Sequence, residues 1–250
     1  MIVYGAQLFT FRNAIKSFDD LRRVFGSVRE EGGGSVQLSG LKIKVDFKEL
    51  RTLAADNGLV IPLTHTPWKR ITEDTDNVIR EHRDLGAETV GLGMMPAAFR
   101  SKEGLKTFID SVNAVRKELS AEGMEFAYHN HAFEFKKIGG ERIIDVLARE
   151  CPEISFIFDT YWCYFAGYDP VEEMKKLGGR LKNIHFKDGY RFLGLPLITA
   201  VGSGKLDFKK ITASAEEAGT RYAYIEHDFA RDPYAVTRKS LRFLFGLEKD

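Results

Sequence analysis

Four short segments in the second half of the chain concentrate side chains that bind cations or move protons. Tyr128-His129-Asn130-His131-Ala132-Phe133-Glu134 carries two imidazoles and a carboxylate, and Phe158-Asp159-Thr160-Tyr161-Trp162 carries one carboxylate. His185-Phe186-Lys187-Asp188 offers an imidazole, an ammonium and a carboxylate, and Glu226-His227-Asp228 two carboxylates around an imidazole. Carboxylates and imidazoles are the donors of divalent-metal sites and the commonest acid–base groups. The first half is sparser: Gln7 and Phe9, Gln37, His65, then Met94 and Met95. Each group follows a run of β-branched or aromatic residues, so the fold must bring the ends of those runs together for them to act jointly.

The runs recur regularly. Strand-like stretches span Ile2 to Leu8, Ser35 to Ser39, Leu59 to His65, Thr89 to Met94, Glu125 to His131, Ile154 to Asp159, Leu181 to Lys187 and Ala223 to His227. Amphipathic helical patterns alternate with them: Phe18 to Glu31, Phe47 to Asn57, Asp74 to Leu85, Glu103 to Glu122, Glu141 to Glu150, Pro170 to Leu177, Phe208 to Ala218 and Tyr234 to Phe245. Gly32, Gly58, Gly86, Gly123, Gly178 and Gly219 stand where helices end before strands, the place for a left-handed cap. Eight βα units with short connections predict an α/β fold, a (β/α)₈ TIM barrel formed by residues 1–250 as one domain. An open doubly wound sheet would want a glycine-rich turn after the first strand, and Phe9-Thr10-Phe11-Arg12 is not one. In a barrel the C-terminal strand ends converge on one axis, and chemistry sits there.

With those segments in place, the chain resembles the xylose isomerase-like sugar phosphate isomerase/epimerase family, TIM barrels related to inosose dehydratases and ketose 3-epimerases. The resemblance rests on QLFTFR at 7–12, YHNHAFEF at 128–135, FDTYW at 158–162, IHFKDG at 184–189, VGSGKLDF at 201–208 and YIEHD at 224–228, and runs from end to end. It implies one divalent ion held by Glu134, Asp159, His185 and Glu226. Three carboxylates and one imidazole form a mostly hard donor set that suits Mn²⁺ foremost, with Mg²⁺, Co²⁺ or Zn²⁺ as alternatives. It also implies a metal-dependent enzyme of carbohydrate metabolism that removes a proton next to a carbonyl and returns it elsewhere, with Glu134 and Glu226 as catalytic base and acid. Dehydration of a keto-polyol or oxidised sugar begins with the same step and is the alternative. Ketose epimerases carry a histidine three positions after the aspartate ligand where this chain has Trp162, which shifts weight toward that broader branch.

His129 and His131 lie two apart on a strand and share a face, so both point to the pocket. With four ligands already implied, contact with sugar hydroxyls or orientation of a ligand suits them better than direct ligation. His65 gets the same substrate-binding expectation. Lys187 and Arg191, just past His185, could hold a substrate carbonyl, phosphate or carboxylate, the bland reading being an ion pair with Asp188. Trp162, Phe9 and Trp68 could stack on the apolar face of a sugar ring or simply pack in the core. The loop Val201-Gly202-Ser203-Gly204-Lys205 is not a phosphate loop, because Leu206 follows the lysine and Thr199 stands at the first glycine position. It is expected to close the barrel mouth between the seventh and eighth strands.

Bulk properties agree. Lys plus Arg number 37 against 36 Asp plus Glu, a net charge of +1, which gives no electrostatic reason to seek nucleic acid or an anionic membrane. An endonuclease IV-like repair enzyme would need further histidine ligands, which the Gly91–Met95 strand end and Trp162 do not supply. A sugar-binding barrel without activity is disfavoured by the full ligand set. Hydrophobic residues are 44% of the chain, yet no uncharged apolar stretch approaches the roughly 18 residues that span a bilayer. Two cysteines, Cys151 and Cys163, in no CxxC spacing, fit a reducing cytoplasm. The expected partner is a small carbohydrate, and assembly into a homo-oligomer is left open.

Overall fold

Eight short runs of β-branched, aromatic and small residues are buried along nearly their whole length, the pattern of parallel strands covered by helices. In the computed structural model, which describes residues 1–247, they form the strands Val3–Gln7, Ser35–Gln37, Leu63–His65, Thr89–Leu92, Glu125–His129, Ser155–Asp159, Asn183–Phe186 and Tyr222–Ile225, counted here first to eighth. All pair in parallel, in the order second, first, eighth, seventh, sixth, fifth, fourth, third. The two edges meet through bridges between Ser35 and Val60 and between Leu38 and Thr64, and His65 N–H donates to the Leu38 carbonyl at 2.8 Å. The sheet thus closes into the expected barrel.

The surrounding helices are fixed locally. Ser17 caps Phe18–Glu30, whose Leu21, Val24, Phe25 and Val28 form a buried stripe at spacings of three and four. Asp46 caps Phe47–Asp56, and Asp169 caps Pro170–Leu177 with the proline at its first position. Gly86 ends Thr75–Leu85 in the left-handed conformation, φ 77°. Gly178 departs from that pattern: its ψ is −137°, and it opens a 3₁₀ turn, Gly178–Arg180.

Three features went beyond the sequence pattern. The helix expected from Glu141 begins at Ile143, because Gly139 and Gly140, at φ 64° and 97°, turn Lys137–Ile138 back on Glu141–Arg142 as a small hairpin. A second hairpin, Asp188–Phe192 with Leu195–Thr199, rises beyond the seventh strand and reverses at Leu193 and Gly194, both with positive φ. Short helices Trp68–Glu73 and Thr160–Phe165 follow the third and sixth strands directly. Cys151 and Cys163 are free and buried, and no helix among the described residues is long and apolar enough to cross a membrane.

The barrel interior is layered by the two-residue period of its strands. Leu63, Ala127, Ile157 and Tyr224 form one apolar cluster on the third, fifth, sixth and eighth strands. Gly5 and Gly91 keep this layer narrow: a Cβ on Gly91 would lie 2.3 Å from the Thr64 carbonyl oxygen. Two residues further along the same strands come His65, His129, Asp159 and Glu226. Their register is continuous with His185, which pairs with Asp159 on one side and Tyr224 on the other. One more step of two brings His131, Lys187 and Asp228. The polar layers therefore sit on an apolar floor at the C-terminal end of the barrel.

Candidate metal centre at the barrel mouth

His129, Asp159, His185 and Glu226, all buried, each present one donor atom, and the four atoms lie within 4.8 Å of one another. His129 Nε2, Asp159 Oδ2, His185 Nδ1 and Glu226 Oε2 are each buried without a hydrogen-bond partner. Two of them, His185 Nδ1 and Glu226 Oε2, are 2.8 Å apart. Buried polar atoms ordinarily find hydrogen-bond partners, whereas these four meet only one another and the Lys187 ammonium, 2.9 Å from the two carboxylate oxygens, so their convergence marks a candidate ion site.

The outer atoms of these residues are, in contrast, tied down. His129 Nδ1–H donates to the Gly93 carbonyl at 2.9 Å, and His185 Nε2–H donates to Gln37 Oε1 at 2.6 Å. Each bond places the ring proton on the outer nitrogen and leaves a lone pair on the inner one, the arrangement of a metal-binding histidine. Asp159 Oδ1 accepts from the Trp162 N–H at 2.8 Å, capping Thr160–Phe165, and leaves Oδ2 turned inward. Asn130 Oδ1, from the end of the fifth strand, accepts from Asp159 N–H at 3.1 Å and links the two strand ends. Two imidazoles and two carboxylates fit a borderline divalent ion such as Mn²⁺, Co²⁺ or Zn²⁺, whereas Mg²⁺ favours oxygen donors.

Glu134 lies outside this group. It sits in the 3₁₀ turn Phe133–Phe135 past the fifth strand, where its Oε1 accepts from Tyr128 Oη at 2.7 Å and its Oε2 from His131 N–H at 2.8 Å. Burial pushes its carboxyl up to about 7, the two hydrogen bonds opposing that shift.

Lys187 faces the cluster, not Asp188. Its Nζ lies 2.9 Å from each of Asp159 Oδ2, Glu226 Oε2 and Asp228 Oδ2. Burial works against the ammonium, but the three carboxylates outweigh it and hold the lysine protonated well above its ordinary range. Glu226 is held ionised well below the carboxylate range: burial opposes its charge, while Lys187 and His185 stabilise it. Asp188 is instead enclosed by the loop after the second hairpin, its carboxylate accepting from the N–H groups of Gly189, Gly202, Gly204 and Leu206. The Val201–Lys205 segment thus wraps an aspartate.

Above the cluster is a cavity of about 390 Å³ lined by His65, His129, His131, Glu226 and Asp228, with Phe9 and Trp68 among its apolar walls. His65 Nδ1 accepts from Gln7 Nε2 at 3.3 Å, and burial keeps this imidazole neutral. Its Nε2 is buried with no partner. Burial also lowers His131 to about 3. Trp162 lies beside the site, its ring 5.3 Å from Lys187 Nζ and 5.9 Å from the His131 ring, with Nε1 buried and unpartnered. Arg191 is exposed on the hairpin over the Phe165 ring, apart from the cluster. Asp228 and Gln37 emerge as site residues to which the motifs assigned no role, although Asp228 stands two residues past Glu226 and so shares its inward face.

The chain belongs to the xylose isomerase-like TIM barrel family, whose sequence model matches residues 25–247. An inosose dehydratase from Geobacillus thermodenitrificans is 24% identical over 222 residues, 72% of each protein. Another, from Lacticaseibacillus casei, is 29% identical over 141 residues, 49% of this chain and 47% of that protein, so the match spans about half its length. Among solved structures, a sugar phosphate isomerase/epimerase from Parabacteroides distasonis superposes with a TM-score of 0.82 at 22% identity, covering 97% of both chains. An L-ribulose 3-epimerase superposes with a TM-score of 0.77 at 18% identity, covering 100% of this chain and 95% of that one.

Proposed function

We propose that this chain is a divalent-metal-dependent sugar isomerase or epimerase that moves a proton at the carbon next to a carbonyl. The observation that carries the reading is the convergence of four buried donor atoms at the floor of a cavity lined by the imidazoles of His65, His129 and His131 and the carboxylates of Glu226 and Asp228. His129, Asp159, His185 and Glu226 would hold the ion. A bound divalent ion supplies Lewis-acid polarisation of a carbonyl and stabilisation of developing oxyanion charge.

The protein's own groups do the rest. Glu226, ionised and at the cavity wall, takes the proton. The same carboxyl, once protonated, returns the proton at the neighbouring carbon, while His131, just past the end of the fifth strand and kept neutral by burial, faces the same cavity as a substrate contact. Glu134 does not line the cavity, and it positions His131 through the bond to its backbone N–H. His65 presents Nε2–H to a substrate oxygen, since Gln7 donates to its other nitrogen. Phe9 and Trp68, which line the cavity, supply the apolar surface a pyranose or cyclitol ring requires, and Trp162 stands beside the site.

Dehydration is the second reading, favoured by the similarity to inosose dehydratases over 72% of the chain. It shares the first proton transfer and differs in the fate of the adjacent hydroxyl.

The test is proton NMR in D₂O with the Mn²⁺-loaded protein and fructose, ribulose or 2-keto-inositol as substrates. Isomerisation or epimerisation introduces deuterium at the carbon beside the carbonyl of a turned-over substrate, and elimination adds loss of water. Glu226→Gln should slow conversion by about 10²- to 10⁴-fold even when metal is retained. Full turnover by that loaded variant would contradict the assignment of Glu226.

A further inference from the structure

The position of Lys187 carries a consequence for how the site takes up its ion. Its side chain is 1% exposed, and its Nζ stands 2.9 Å from Asp159 Oδ2 and from Glu226 Oε2, the same two oxygens that belong to the donor cluster. A divalent ion bonded to those oxygens at about 2.0 to 2.2 Å would share its two anionic donors with an ammonium a few ångströms away. Like charges that close repel strongly in a buried setting. A third carboxylate, Asp228, also lies 2.9 Å from Nζ but stands outside the donor cluster, toward the cavity.

We propose that Lys187 is an internal counter-cation that competes with the divalent ion for Asp159 and Glu226, and that ion binding shifts its ammonium onto Asp228. The inference rests on the metal-centre reading above. Charge balance supports it: Asp159, Glu226 and Asp228 contribute three negative charges and Lys187 one positive, leaving two for a single divalent ion to neutralise. Lys187 therefore needs neither to lose its proton nor to leave the site. It moves from a three-carboxylate contact to one carboxylate, and the four-carbon stem of a lysine permits that movement. In this arrangement the lysine is a positioning residue that sets how tightly the ion is held, and Asp228 is its resting place.

The experiment is competition of a fluorescent chelator for Mn²⁺ alone, without substrate, in four proteins: wild type, Lys187→Met, Asp228→Asn and the double variant. Lys187→Met removes the competitor and should bind Mn²⁺ at least about tenfold more tightly. Asp228→Asn removes the resting place and should weaken binding in the wild-type background, with a much smaller effect beside Lys187→Met. Equal or weaker binding by folded Lys187→Met would overturn the competition. An equal effect of Asp228→Asn in both backgrounds would overturn the shift, because Asp228 would then act through its own charge. If Lys187→Met, with buried carboxylates left unpaired, does not fold without metal, Lys187→Gln replaces it and is read by the same outcomes. His129→Ala separates the two layers of argument. Undiminished Mn²⁺ binding there defeats the metal centre itself, whereas lost binding there with no tightening in Lys187→Met defeats only the competition.

Discussion

Gln37 and His185, 148 residues apart in sequence, meet at 2.6 Å between Oε1 and Nε2, and this contact across the barrel fixes which nitrogen of His185 faces the cluster. With the proton held on Nε2, Nδ1 presents a lone pair beside Glu226 Oε2. Gln37→Leu removes the acceptor while keeping the volume. It should weaken divalent-ion binding by about 10- to 100-fold with the fold intact, as outer partners of metal-binding histidines do. Titration with a chelator-buffered metal and circular dichroism on the same sample check both halves, and unchanged affinity would remove Gln37 from the account.

His129 and Glu134 make competing claims to the fourth ligand position. His129, not Glu134, joins the buried donor cluster, so His129→Ala should abolish stoichiometric metal binding, while Glu134→Gln should retain it. Elemental analysis of the two purified variants decides between them: the reverse pattern would restore the quartet that the sequence motifs imply.

Glu134 also makes a prediction in pH. Its carboxyl is raised by burial to about 7 from an ordinary 4.5. Between those values the unfolded chain holds fewer protons at this position than the folded one, so stability from this group is full below 4.5 and lost as pH rises through 7. The whole effect is about 3 kcal/mol at most. Urea denaturation at pH 4.5 and 7.5 should show a smaller loss of stability with rising pH for Glu134→Gln than for the wild type. An identical loss in both would mean that this carboxyl is not held protonated.

Net charge near zero and a mouth lined by carboxylates predict no specific affinity for abasic DNA. A duplex carrying an abasic site should show no binding at physiological ionic strength by fluorescence anisotropy, where contacts to phosphate would be strongly salt-dependent. Tight binding or strand cleavage would displace the carbohydrate reading.

The barrel could be read from alternating strand and helix periodicity, because parallel strands buried on both faces and glycine-punctuated helices leave strong local marks. Asp159, His185 and Glu226 could be read from their places at strand ends. His129 and Lys187 were visible as pocket residues, but their joint approach to Asp159 and Glu226 depends on interstrand register, which no single strand displays. Glu134 illustrates the limit from the other side. It lies beyond the end of the fifth strand in a 3₁₀ turn, so the two-residue period that carries His129 and His131 inward no longer governs its direction. The hairpin that reverses at Leu193 and Gly194 escaped because its strands read as an irregular loop of mixed polarity, and Gln37 because an amide carries no chemistry until its partner is known.

Anomalous diffraction from crystals soaked in Mn²⁺, recorded on both sides of the manganese edge, tests the central claim most directly. The expected result is one site per chain, bonded to His129 Nε2, Asp159 Oδ2, His185 Nδ1 and Glu226 Oε2. A peak bonded to Glu134 in place of His129, or no peak at the barrel mouth at saturating Mn²⁺, would contradict it.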